Sequence, residues 1–244
     1  MKQPWIDHFA VGLWSFDDAV PVVVEALGGR AGRGGPSPGF DWRTWGFREG
    51  GALEVIVPTG PSDGFLHRFL RSRGPGIHHV TFYVEDLREA CERAGSLGYD
   101  IVGYDDSDKG WQEAFLHPKQ ASGIVVQLAS SSPEHESEGY EWEPPPQQAS
   151  APEPVTLVGL RTAAPSAAEA LKLWREVFLG DCRERNGVLL FDWPGSSMRI
   201  AVEVDPDLPV GPLSLEVEAE REISLLDGTP PAEFGAPISR ARDL

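Results

Sequence analysis

The feature that most limits how this chain can fold is an internal repeat. Ile6-Asp7-His8-Phe9-Ala10-Val11 and Ile77-His78-His79-Val80-Thr81-Phe82-Tyr83-Val84 are short apolar runs, and His8 falls on His79 at an offset of 71. Leu27-Gly28 falls on Leu97-Gly98 at an offset of 70, and Glu54 falls on Gln127 at an offset of 73. A spacing kept this nearly constant marks two structural units of one kind.

Each copy has the same internal order. Phe16 to Leu27 places Val20, Val23, Val24 and Leu27 at helical spacing, and Gly28-Gly29 stops the helix. Asp41 to Phe47 and Ala52 to Val57 read as strands. In the second copy the helix runs from about Asp86 to Leu97, with strands near Ile101–Tyr104, Trp111–Leu116 and Gly123–Leu128. One such unit is too small to bury its own sheet. The pattern therefore predicts an α+β fold in which paired βαβββ modules form a curved, cleft-bearing mixed sheet with helices outside. Phe65 to Ser72 reads as a connecting helix ending at Gly74-Pro75-Gly76.

The composition changes at residues 133–154, where Glu134, Glu136, Glu138, Glu141, Glu143 and Glu153 occur with many prolines and no Lys or Arg. Missing backbone donors and mutual repulsion disfavour helix and sheet, so this stretch reads as an extended acidic linker, with Tyr140 and Trp142 able to rest on a neighbouring surface. It divides the chain into residues 1–132, with modules at about 5–60 and 76–130, and residues 155–244. The latter repeat the pattern in degenerate form. Val155–Arg161 reads as a strand, Ser166–Leu179 as an amphipathic helix, and Val188–Trp193 and Met198–Val204 as strands. Leu213–Val217 resembles the opening of a fourth copy, followed by a Pro- and Gly-rich tail. No histidine follows His135, so this region is expected to bury the outer face of the pair or to mediate a homodimer, and not to hold a metal.

Charge narrows the partners. Lys and Arg total 21 against 38 Asp and Glu among 244 residues, a formal charge of -17. That field repels polyanions, which argues against nucleic acid and against an anionic membrane, and leaves a small-molecule substrate. Cys91 and Cys182 are too few for a disulfide framework or a thiolate zinc site, and the N-terminal residues have no apolar signal core. The expectation is a soluble protein of a reducing cytoplasm.

If a pseudo-twofold axis relates the copies, His8, Glu54, His79 and Gln127 converge on the concave face. Taken singly, each has a bland reading as a hydrogen-bonded or solvated strand residue. Taken together, they are polar residues at matching places among strands of Val, Ile, Leu and Phe, and a carboxylate buried there needs a partner. Two imidazoles, one carboxylate and one amide oxygen suit a divalent ion, whether Co, Ni, Zn, Mn, Mg or Fe.

These openings resemble the vicinal oxygen chelate superfamily of glyoxalases, bleomycin resistance proteins and dioxygenases. The nearest likeness is to its methylmalonyl-CoA epimerase-like members. It is carried by Leu53-Glu54-Val55-Ile56-Val57-Pro58, by Phe69-Leu70-Arg71-Ser72-Arg73-Gly74-Pro75-Gly76-Ile77-His78-His79, by Phe115-Leu116-His117-Pro118-Lys119 and by Gly123-Ile124-Val125-Val126-Gln127-Leu128. The resemblance places the four metal ligands on His8, Glu54, His79 and Gln127. It implies a metal-dependent isomerase or lyase that abstracts a proton beside a chelated carbonyl of a small carbonyl compound or CoA thioester. The epimerases have the acid and the amide the other way round. Here the fourth position, Gln127, has no proton to exchange, so Glu54 is the candidate base. Glu49, Asp105 and Glu113 lie near strand edges, and the sequence selects none of them as a second acid. Two alternatives stand beside this reading: a non-haem Fe(II) dioxygenase of extradiol type, and a non-catalytic antibiotic-binding protein.

Other features carry less. Gly28-Gly29-Arg30-Ala31-Gly32-Arg33-Gly34-Gly35 reads as a flexible loop or, less simply, a phosphate or CoA-tail cradle. Arg68, Arg71 and Arg73 form a small basic patch, on a solvated helix face or for a substrate anion. His78 is expected on the sheet face opposite His79. His117-Pro118-Lys119 reads as a turn, Trp42, Trp45 and Trp111 as core or cavity lining, and Cys91 as core.

Overall fold

The computed structural model describes residues 3–131, 151–226 and 228–241. Strands β1 (Trp5–Gly12) and β5 (Gly76–Tyr83) run antiparallel at the middle of an eight-stranded sheet of order β2-β3-β4-β1-β5-β8-β7-β6. Outward from that junction the two halves match. β1 pairs in parallel with β4 (Ala52–Pro58), then come β3 (Phe40–Gly46) and β2 (Arg30–Ser37). β5 pairs in parallel with β8 (Val125–Ser130), then come β7 (Gln112–Leu116) and β6 (Ile101–Asp105). The repeat in the sequence is thus an internal twofold of the sheet. Central strands are covered on both faces, which is why β1 and β5 are almost wholly buried and largely apolar.

Helices follow the opening strands. Ser15 and Asp18 form a capping box that starts a 3₁₀ turn (Phe16–Ala19), continued by a π-helical segment (Val20–Ala26). Helix α1 (Phe65–Arg73) joins the modules, and α2 (Leu87–Ser96) starts at an Asp86 cap. Among the described residues no helix is long and apolar enough to cross a membrane.

A second sheet, of order β10-β11-β12-β9-β13-β14, contains six strands. β9 (Thr156–Ala164), a helix begun by α3 (Ala167–Ala170) and continued over Leu171–Val177, β10 (Asp181–Arg185), β11 (Val188–Asp192) and β12 (Arg199–Val204) make one full further module. The fourth copy is reduced to β13 (Gly211–Glu218) and β14 (Ile238–Arg240). The face of β5 that carries Phe82 packs on this region. Its ring stacks on Phe178 at 4.2 Å and meets Trp193 at 4.8 Å and Trp174 at 6.0 Å.

Three readings of the sequence change. The Gly- and Arg-rich segment read as a flexible loop is the edge strand β2. Its glycines fit because the partner backbone passes so close that a Cβ at Gly34 would stand 2.7 Å from the Trp42 carbonyl. β10 went unrecognised because, as an exposed edge of Asp, Cys, Arg and Glu, it has no apolar alternation. The C-terminal tail contributes β14. Of the expected acidic linker at 133–154, residues 133–150, with Tyr140 and Trp142, lie outside the described residues, while Glu153 Oε2 accepts from Arg30 Nη2 at 3.3 Å.

The second sheet repeats the central register of the first. In both, one residue of each strand is extra: Asp7 and His78 between β1 and β5, Val158 and Leu213 between β9 and β13. On this frame His8, Glu54, His79 and Gln127 correspond to Gly159, Ala201, Ser214 and Ser239. A Cβ at Gly159 would collide with the Arg199 carbonyl, so no side chain fits where His8 stands in the first sheet. Next to these positions Glu216, fully buried, accepts from Arg161 Nη2 at 2.6 Å and from Arg199 Nη2 at 3.2 Å, while Arg161 Nη1 reaches Glu203 at 2.8 Å. Removing one partner of such a cluster strands the others without compensation. Glu216→Ala is expected to destabilise the full chain by about 3–5 kcal/mol in urea unfolding; a change below about 1 kcal/mol would refute that.

Candidate metal centre

The twofold places the site. His8 lies opposite Thr81 and Ala10 opposite His79 in the antiparallel pair, while Glu54 is level with Ala10 on β4 and Gln127 level with Thr81 on β8. Ala10 is the smallest side chain in this group, which leaves room for the two rings and the carboxylate to meet. His8, Glu54 and His79 each offer a ligand atom, all within 4.8 Å of one another, and all three residues are buried. Glu54 Oε2 lies 3.6 Å from His8 Nε2 and 3.6 Å from His79 Nε2.

The protons in the cluster can be counted. Gln127 Nε2 donates to Glu113 Oε2 at 2.7 Å, which turns Gln127 Oε1 to accept the Thr81 hydroxyl at 2.6 Å. With its proton used, Thr81 has only lone pairs for His8 Nε2 at 3.0 Å, so His8 donates there. Its Nδ1 donates to Asp7 Oδ2 at 2.8 Å. A ring that donates from both nitrogens is an imidazolium. Burial works against that charge, but the Glu54 carboxylate, seconded by Asp7, outweighs it and raises the His8 pKa to about 10.

His79 is the opposite case. Burial first, then its neighbours His78 and His8, hold its pKa well below the ordinary value, so the ring is neutral. Its Nε2 is buried with no hydrogen-bond partner among the described residues. His78 is likewise held neutral by burial and by Arg73, with its pKa lowered to about 4. Contrary to the expectation of opposite faces, His78 Nδ1 stands 2.9 Å from His79 Nδ1. The cause is the bulge, which breaks the strict alternation of side chains.

This donor set fits a divalent ion. An orphaned imidazole nitrogen faces a carboxylate oxygen, and 3.6 Å is near the roughly 3.4 Å between two ligands held at about 2.1 Å around a tetrahedral ion. His8 joins by giving up its Nε2 proton and its Thr81 contact. Gln127 lies one hydrogen bond away, reached through Thr81.

The other candidates separate. Of the three open carboxylates, Glu113 bonds Gln127 and also accepts from Trp111 Nε1 at 3.0 Å, whereas Asp105 is turned to Ser107 and Glu49 sits in the turn before β4 with φ 62°. Arg68, Arg71 and Arg73 are exposed on α1. Trp45 and Cys91 are core, and Trp42 packs on Ile56, Leu66 and Leu70. His117 Nδ1 accepts from the Lys119 amide in a turn. Sequence reasoning passed over Asp7 and Thr81; Thr81 had a signal, as a polar residue two positions from His79 in an apolar strand.

Comparison with known proteins shows what this sheet is similar to. The sequence profile of the "Glyoxalase/Bleomycin resistance protein/Dioxygenase superfamily" matches residues 7–115. The matched stretch covers most of the N-terminal module pair, which is similar to this superfamily. The chain is 33% identical over 82 residues to an ethylmalonyl-CoA/methylmalonyl-CoA epimerase of Cereibacter sphaeroides, covering 31% of this chain and 59% of that protein. It is 26% identical over 88 residues to an uncharacterized protein of Bacillus subtilis, covering 35% and 62%. The chain thus spans about three fifths of the length of the curated relatives it matches. Among solved structures, a hypothetical protein of Bacillus halodurans has a TM-score of 0.50 at 24% identity, covering 56% of this chain and 100% of that one. A mutant of 4-hydroxymandelate synthase from Streptomyces coelicolor has a TM-score of 0.62 at 14% identity, covering 89% of this chain and 71% of that one. Both are likenesses of fold. The N-terminal sheet holds its polar cluster through Thr81. Thr81→Val is expected to leave Gln127 Oε1 without its donor and to cost about 1–3 kcal/mol in thermal or urea unfolding; unchanged stability would show that Thr81 does not tie the cluster together.

Proposed function

We propose that this protein is a divalent-metal-dependent isomerase or lyase that removes a proton beside the carbonyl of a small carbonyl compound or CoA thioester. The observation that carries the reading is Glu54 Oε2, which lies 3.6 Å from both imidazole Nε2 atoms in a buried cluster. The partial identity to an ethylmalonyl-CoA/methylmalonyl-CoA epimerase supports the substrate class. The chemistry is assigned to residues 1–132, with residues 155–244 in a covering role.

His8, His79 and Glu54 would hold the ion, with Gln127 at the fourth position. When bound, the ion polarises a carbonyl and stabilises the negative charge left as the α-proton departs. Glu54 is the base: a carboxylate oxygen takes the proton from the α-carbon, whose bonding pair moves towards the carbonyl oxygen. Gln127 holds orientation only, since an amide has no proton to exchange at neutral pH. Glu113, bonded to Gln127, supplies the carboxyl group that the fourth position lacks. For epimerisation the two acids exchange roles between the two hands of the substrate, and solvent resets their protons.

A second reading has its own support. Gln127 is engaged by Thr81 and Glu113, which leaves two His and one carboxylate, the triad of a non-haem Fe(II) oxygenase. The test is proton NMR of methylmalonyl-CoA in D₂O with the full chain loaded in turn with Co²⁺, Ni²⁺, Zn²⁺, Mn²⁺, Mg²⁺ and Fe²⁺. Exchange of the α-proton is expected, abolished by chelator and lowered about 10²–10⁴-fold in Glu54→Gln. No exchange, together with oxygen uptake on a catechol, would favour the dioxygenase. Tight small-molecule binding indifferent to chelator would favour the binding protein.

A further inference from the structure

The two histidines of the cluster share a feature beyond their place in the sheet. Each directly follows the extra residue of a β-bulge, Asp7 before His8 and His78 before His79. A bulge re-aims the side chain it carries. Here both bulge side chains reach the next residue's ring at the same atom: Asp7 Oδ2 lies 2.8 Å from His8 Nδ1, and His78 Nδ1 lies 2.9 Å from His79 Nδ1.

The second sheet serves as an internal control. It has the same two bulges in the same register, and they carry Val158 and Leu213. The backbone therefore keeps both bulges without a polar side chain. Asp and His occur at them only in the sheet that has histidines to support.

We propose that Asp7 and His78 are a matched pair of positioning residues, which hold the Nδ1–H of His8 and of His79 and thereby turn both Nε2 atoms to the cleft as ligands for a divalent ion. This rests on the metal-site reading above. An imidazole offers a lone pair at Nε2 only while its proton is kept at Nδ1, and a fixed acceptor for that proton selects the tautomer and the ring orientation together. The supports are unequal. Asp7 is a carboxylate at the edge of the site, 40% exposed, and makes His8 the more basic ligand. His78 is an uncharged acceptor held between Phe69 at 4.8 Å and Phe65 at 5.8 Å, so it orients His79 without adding charge.

The second sheet also supplies the variants. Asp7→Val and His78→Leu install the residues that its bulges already accommodate, and Asp7→Asn and His78→Asn restore an acceptor at each place. Co²⁺ is titrated into the full chain and followed by calorimetry and by visible absorption, with urea unfolding of the metal-free protein alongside. Each apolar variant is expected to weaken Co²⁺ binding about 10–100-fold and to alter the absorption band, by more than any shift of its unfolding midpoint accounts for, with binding largely recovered in the Asn variant. Wild-type affinity and spectrum in both apolar variants would overturn the inference. So would a loss that Asn does not repair and that tracks a lowered midpoint, which marks a structural role. Failure of the unsubstituted chain to bind Co²⁺ or any other divalent ion would overturn the metal-site reading itself, and is recognised by appearing before any substitution.

Discussion

The antiparallel pairing of β1 with β5 is the constraint on which the rest depends. It joins two modules that cannot each bury a sheet, and it sets the twofold that brings residues 71 positions apart to one spot. The register fixes which side chains share the concave face, because a slip of one residue would send His8 and His79 to the opposite side. The same pairing presents Phe82 to the outer face, where Phe178, Trp174 and Trp193 cover it. One junction thus serves both the site and the core between the sheets.

The two sheets answer one electrostatic problem in different ways. A polar cluster at the centre of a sheet must be neutralised from within, since water is excluded. In the second sheet Arg161 and Arg199 close on Glu216 and leave no donor set for an ion. In the first, Glu54 faces two imidazoles of unlike state, one protonated and one with an unpartnered nitrogen. The carboxylate of the second sheet already has its cations in the two guanidinium groups, whereas the cluster of the first sheet is where a divalent cation is proposed. This contrast puts the proposed chemistry in the first sheet, and it explains why a chain with two copies of the architecture has one candidate centre among its described residues.

Much of this was legible in the sequence, and the failures have physical causes. The repeat gave the paired modules, and polar residues inside apolar strands marked His8, Glu54, His79 and Gln127, because burial makes such residues costly without a partner. What stayed hidden depended on backbone detail or on exposure. The bulges are not encoded by any residue type at Asp7 or His78, so strict alternation put His78 on the wrong face. Edge strands β2 and β10 need neither apolar alternation nor bulk, and their Gly, Arg, Asp and Glu read as loop. Glu113 was one of three equal candidates for the proposed second acid, and only its bond from the Gln127 amide sets it apart.

The central claim is that His8, Glu54 and His79 hold one divalent ion in the N-terminal sheet. Its most direct test is the metal content of the purified full chain, by plasma mass spectrometry, beside His79→Ala. The account predicts about one transition-metal ion per chain and its loss in the variant, with folding unchanged by circular dichroism. Absence of metal after reloading with each candidate ion, or equal metal in the variant, would contradict it.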